Sequence, residues 1–301
     1  MILAQEQWQR LQQEHQARVR PWIEPRLARR RLGQSHPIED FLFDYYPYSP
    51  ARLATWHPGH GIVLRGEVSQ FRDRGDYLPV ATVDDGVAVD TRRLSARSQR
   101  LDLVLHLLTA TAGRPAMVNC FGLHEWAMVY RLDPHQVRHA GQPLRLSPAA
   151  IADAVEEVGL RCTHIDAFRF FTEQAKPRNA HLPTRATQPD LEQPGCLHAG
   201  MDLYKYAMWF QPYVGSTLVA DCFAAARLAR VLDMAASPYD LRAFGLEPIP
   251  VETAQGRREY VEQQRKLMQQ VEPLRTRLVE SLRTLRAGLP TSARSATTST
   301  A

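Results

Sequence analysis

The chain has 301 residues, long enough for one large domain or two small ones with a core that needs no disulfide staples. Its hydrophobic fraction of 44% and charged fraction of 23% are ordinary globular values. No apolar run approaches the roughly 18–20 residues of a membrane span, and the N-terminus MILAQEQWQR has no charged start leading into an apolar stretch. A cytoplasmic protein without a membrane segment is the expectation.

The net charge of +5 is carried almost entirely by arginine, with lysine only at positions 176, 205 and 266. Such a chain is disposed toward polyanions through counterion release, although a GC-rich genome gives the same bias. Cys120, Cys162, Cys196 and Cys222 are far apart in sequence and form no Cys-x-x-Cys pair. That spacing argues against structural zinc or a disulfide framework and for reduced thiols.

In chain order, residues 3–31 read as a helix ending in Arg29-Arg30-Arg31, broken by Gly33. Segment 36–60 begins as a short helix from Pro37 and turns irregular at Tyr46-Pro47 and Ser49-Pro50, because a residue before proline is pushed out of the helical region. Residues 61–90 are the least helical part. Their β-branched residues and Asp85-Gly86 predict a small two- or three-stranded sheet or a loop excursion. A helix apolar on most faces, hence buried, follows at 95–112 and stops at Gly113. Segment 119–131, NCFGLHEWAMVYR, reads as a second buried helix or a strand-to-helix piece. Ser147-Pro148 starts a helix that Gly159 ends. GLRCTHIDAFRFF reads as a short strand entering a loop, and 176–195 as irregular. Helices at about 197–211, 216–234 and 256–287 close a single helical domain, 1–289. The small polar residues of 290–301 predict a disordered tail. The fold class is therefore mainly α with a small β excursion.

Three segments hold more histidine, acid and aromatic residues than packing alone requires. The first places Glu39, Asp40 and Asp44 beside Tyr45, Tyr46, Tyr48, Trp56 and several histidines. Carboxylates among rings suit general-base activation of water, or a ring cage for a flat or cationic ligand; solvent-facing acids near a helix N-terminus are the plain alternative. In the second segment, His124, Glu125 and Trp126 lie between apolar residues. Neighbours on a regular helix point about 100° apart, so His124 and Glu125 are not expected to face one pocket. A buried glutamate there needs an Arg or His partner. In the third, His198 and Asp202 share a helix face, Tyr206 follows one turn later and Lys205 lies off that face. A histidine and a carboxylate so spaced can ligate one metal ion, or form a base and its orienting partner. In DMAASPYDL the acids Asp233 and Asp240 read as backbone-capping residues. Phosphate-loop, nucleophile-elbow and HExxH patterns are absent.

HPIEDFLFDYYPYSPARLATWHPG, FGLHEWAMVYR, QPGCLHAGMDLYKYA and LVADCFAAARLARVLDMAASPYDL together resemble a bacterial family labelled 3-methyladenine DNA glycosylase. The resemblance implies a DNA-repair hydrolase that extrudes an alkylated purine into an aromatic pocket. On that expectation Glu39 or Asp44 is the acid, Tyr45, Tyr46, Tyr48, Trp56, Trp126 and Tyr206 hold the base, the basic terminal helices hold DNA phosphates, and no metal is needed. A second expectation is a metal-dependent enzyme on a small molecule, with one or two transition-metal ions held by Glu39, Asp44, His124, Glu125, His198 and Asp202. A third is a ligand- or protein-binding module without catalysis.

Overall fold

The computed structural model describes residues 1–132 and 141–289; the expected disordered tail lies outside them. Twelve α-helices and four short strands are found among the described residues. The first two-thirds of the chain carries mostly short pieces: β1 (Ile2–Leu3), α1 (Gln5–Arg31), α2 (Phe41–Tyr45), α3 (Pro50–Ala54), β2 (Val63–Leu64), α4 (Ser69–Arg72), β3 (Tyr77–Pro79), β4 (Val87–Val89), α5 (Ser98–Ala112), α6 (His124–Ala127), α7 (Pro148–Val158), α8 (Ile165–Phe168) and α9 (Gln188–Leu191). The last third is three long helices, α10 (Leu197–Trp209), α11 (Ser216–Ala235) and α12 (Ala254–Ala287). The protein is mainly α with a small sheet. No helix among the described residues is long and apolar enough to cross a membrane.

Periodicity explains the long helices. In α12 the buried residues Tyr260, Gln264, Leu267, Val271, Arg275, Leu278, Leu282 and Leu285 recur at three- and four-residue steps, which lays one buried, mostly apolar stripe along the helix. That stripe packs on α11, α5 and α10, and α10 lies against α11 along most of its length. The buried apolar side chains form one continuous cluster from Leu3 to Leu289. Caps read from sequence are present: Ser147 Oγ accepts the Ala150 amide at 3.2 Å, and Gly159 ends α7 at φ 77°.

Several local expectations are corrected. The sheet has four strands in the order β1-β2-β4-β3, because the N-terminal Ile2–Leu3 pairs in parallel with Val63–Leu64 instead of starting the helix. The β3–β4 pairing is antiparallel, with Leu78 opposite Ala88. Helix α5 is not buried all round: Leu101, Val104 and Leu108 face the core while Leu103 is 69% exposed. Segment 119–131 forms only the single turn α6, and the expected strand near 160 is one bridge, Leu160 to Asn179, followed by α8.

Candidate metal centre

Five pieces of chain bring histidines and carboxylates together inside the helical layer. Phe121 and Gly122 both take left-handed backbone angles, φ 49° and 68°, and this reversal delivers His124 and Glu125 inward. Gly122 also has little room, since a Cβ there would sit 3.3 Å from the Ala236 Cβ. His198 and Asp202 come from α10, and Arg230 and Asp233 from α11. His164 sits at the N-terminus of α8, its Nδ1 accepting the Asp166 amide at 3.2 Å. Glu192 is the residue after α9.

Around His124, the Nε2 atom lies 2.6 Å from Asp233 Oδ1, an ion-pair distance. Burial works against a charge on His124, but Asp233 outweighs it and raises the His124 pKa. Glu125 Oε2 is buried without a hydrogen-bond partner, and the ligand atoms of His124, Glu125 and Asp233 lie within 4.8 Å of one another. Arg230 ties the two acids together, donating to Glu125 Oε1 at 2.8 Å and Asp233 Oδ2 at 2.7 Å; its guanidinium lies 3.7 Å above the Phe41 ring centre. The His198 ring is 4.6 Å from that of His124 and 5.4 Å from that of His164. Burial, then the neighbouring His124, holds the His198 pKa well below its ordinary value. His198 is therefore a neutral imidazole with a lone pair to give.

A second set, His164, Glu192 and Asp202, also has its ligand atoms within 4.8 Å of one another. It is better supplied with donors. Asp202 accepts from Tyr46 Oη at 2.8 Å, from Tyr206 Oη at 3.5 Å and from Lys205. Glu192 accepts from Gln188 at 2.5 Å. His164 Nε2 is 3.0 Å from Glu192 and 3.6 Å from Asp202. Burial opposes a charge on His164, but Glu192 and Asp202 outweigh it and lift its pKa to about 10. Burial likewise works against the Asp202 carboxylate; Lys205 and His164 overcome it and hold Asp202 ionised.

Charge balance sets what this interior demands. Glu125, Asp233, Glu192 and Asp202 bring four negative charges, while Arg230 and Lys205 bring two permanent positive ones. Every one of these carboxylates is at most 4% exposed. Two unbalanced charges in a dry interior are costly. Two protons, on His124 and His164, neutralise them, and the raised pKa of both imidazoles fits that state; one divalent cation in place of the protons does the same.

The residues singled out from sequence divide clearly. His124, Glu125, His198 and Asp202 converge, and the expectation that His124 and Glu125 face apart is corrected: α6 is a single turn, and the long Glu125 side chain reaches the same Arg230 that holds Asp233. Glu39 and Asp44 do not join them. Glu39 pairs with Arg29 at 2.9 Å and Asp44 with Arg26 at 2.5 Å, both acids half-exposed beside α1. Of the candidates in the first segment, Tyr45 and Tyr46 approach the centre. Tyr48 donates to the Lys205 carbonyl at 3.2 Å and packs edge-on to Tyr204. Trp56 packs on Phe71, and Trp126 is fully buried, its indole N–H bonded to the Ala236 carbonyl at 2.8 Å; both are core residues. Lys205, expected off the face, folds back onto Asp202.

His164, Glu192 and Asp233 were missed, because each sits in a stretch whose local pattern suggested a strand, a loop or a cap. Three of the four cysteines, Cys120, Cys162 and Cys196, line a small cavity of about 20 Å³ beside His124 and His198, despite their distance in sequence. Burial lifts the Cys162 pKa to about 12 and the other two in the same direction, so all three are protonated thiols. A larger open cavity of about 460 Å³ is walled by Tyr45, Tyr46, Tyr206 and Trp209, with Arg169, Arg185 and Lys205 among its polar groups.

Fold and site together define a mainly α protein with a buried imidazole–carboxylate constellation. Comparison with protein-family models, curated proteins and solved structures found no match to the chain.

Proposed function

We propose that the protein is a metal-dependent enzyme acting on a small molecule, with a divalent transition-metal ion held by His124, Glu125 and Asp233 and with His198 beside them. The carrying observation is that His124, Glu125 and Asp233 are all buried with one ligand atom of each within 4.8 Å of the others, and that Glu125 Oε2 has no hydrogen-bond partner. Mixed imidazole and carboxylate donors suit iron, manganese or zinc. Such an ion supplies Lewis acidity, and iron or manganese also supplies electron transfer. The chain's own groups do the rest: Arg230 orients both acids, and the neutral His198 adds a fourth donor. Tyr46 and Tyr206 connect Asp202 to the large cavity, so a proton can pass between the His164–Asp202 pair and a molecule bound there.

The test is elemental analysis of protein purified anaerobically, with thermal melts in the presence of Fe(II), Mn(II), Zn(II) and EDTA. About one ion per chain and a melting temperature lowered by EDTA are expected. Metal-free protein whose melting ignores all four additions overturns the proposal.

A second reading, base excision from alkylated DNA, draws support from one observation: Tyr45, Tyr46 and Tyr206 share a cavity with the carboxylate of Asp166. Its acid would then be Asp166 or Asp202, since Glu39 and Asp44 are occupied by arginines elsewhere. Release of free base from methylated duplex DNA by EDTA-treated protein would establish it; no release across a range of salt concentrations rejects it.

A further inference from the structure

We infer that the 460 Å³ cavity is a binding site for a small amphiphilic carboxylate, an organic acid with an aromatic or branched apolar body. The volume falls within the roughly 300–1,000 Å³ of ordinary ligand sites. Its walls are of two kinds. On one side Leu103, Val104 and Leu107 of α5 meet the rings of Tyr45 and Trp209. Leu103, at 69% exposed, is an apolar side chain left facing this space, and apolar surface of this kind is what a hydrophobic ligand body covers.

On the other side three cations converge on too few anions. Arg185 pairs with Asp166, Arg169 stands 3.6 Å from the same carboxylate, and Lys205 lies 3.6 Å from Asp166 while bonding to Asp202. The lining of the cavity thus carries three cationic side chains and one carboxylate, Asp166. Arg169 and Arg185 line the cavity with side chains 50% and 60% exposed, so their guanidinium groups are open to a ligand as well as to Asp166. A fork matches a carboxylate through two parallel hydrogen bonds. The excess positive charge selects against amines and for acids.

The floor of the cavity explains why a ligand here matters. Tyr46 and Tyr206 line it and donate to Asp202, which lies 3.6 Å from His164. A carboxylate anchored by the arginines places its body next to these phenols. The inference deepens the metal-centre reading by giving its substrate class, and it rests on that reading for turnover; binding is measured independently of it.

The experiment is titration calorimetry of the full chain as purified with three probes of one shape, 4-phenylbutyrate, 4-phenylbutan-1-ol and 4-phenylbutylamine, with metal content measured on the same samples. The acid is expected to bind at least about tenfold tighter than the alcohol, with the amine weakest. Arg169→Gln with Arg185→Gln lowers affinity for the acid about tenfold, leaves the alcohol unchanged and keeps the metal. Asp233→Asn keeps the acid and loses the metal. An amine that binds as well as the acid, or no saturable heat from the acid up to about 10 mM, overturns the inference. Unsubstituted protein that holds metal but does not bind the acid sinks the cavity assignment alone; unsubstituted protein that binds the acid but holds no metal sinks the metal centre alone.

Discussion

His124 and Asp233 come from segments more than one hundred residues apart, and their Nε2 and Oδ1 atoms meet at 2.6 Å. Asparagine keeps the size of Asp233 but removes its charge, and in place of His124 it removes the ring nitrogen that faces Asp233. His124→Asn and Asp233→Asn should each lower metal affinity by at least the 10–100-fold that follows loss of an outer partner of a ligand. Competition with a chromophoric chelator reads this directly, and wild-type affinity in both variants contradicts the assignment.

Arg230 is 1% exposed and bonds to Glu125 and Asp233. Arg230→Met fills similar space but strands two buried carboxylates. A loss of about 3–5 kcal/mol in urea unfolding is expected, the usual cost of breaking a buried pair from one side. Added divalent metal should recover part of it, because a cation replaces the missing charge.

Asp40 is also buried, at 1% exposed, and accepts from Arg29, Arg26 and the His36 amide, so it locks α2 to the end of α1. Asp40→Ala should cost about 3–5 kcal/mol. Glu39→Gln and Asp44→Asn, at half-exposed ion pairs, should each cost no more than about 1 kcal/mol and leave metal content unchanged. A loss of metal on either mild change would return those acids to the centre.

His57 gives a pH dependence. Burial, followed by the charges of Arg74, Arg52 and His15, lowers its pKa from 6.5 to about 3, while its Nδ1 shares a 2.8 Å hydrogen bond with Tyr77 Oη. The unfolded chain takes up a proton below pH 6.5 that the folded chain refuses, so stability falls as pH drops from 6.5 toward 3 and is unaffected above. Between pH 6.5 and 5 the loss is about 2 kcal/mol. His57→Gln should flatten this part of the pH–stability curve, with the similarly shifted His15 leaving a residual slope. An unchanged curve would show that His57 is not the group responsible.

The long helices were legible because their stripes repeat. Tyr260 through Leu285 can face one side only if the segment is helical, and Ser147-Pro148 and Gly159 mark ends that sequence alone identifies. Short elements were not. A single turn such as α6 has no period to read, and its direction is set by positive φ at Phe121 and Gly122.

The centre was half legible. His198 and Asp202, four apart on one helix, announce a shared face. His124 and Glu125 stood out as polar residues in an apolar run. Their partners did not, since Asp233 resembles a helix-end cap, Glu192 a loop acid and His164 a strand residue until α11, α9 and α8 fold against α10.

The amino-acid order by itself determined where helices run, which faces they bury, and that imidazoles and acids stand in apolar surroundings. These are properties of neighbours within a few residues, fixed by helix and strand periods. The tertiary packing decided which acid meets which base. It gave Asp44 and Glu39 to the arginines of α1 and gave Asp233 to His124, because charge pairing depends on distance in space, and contacts spanning a hundred residues leave no local trace in the chain.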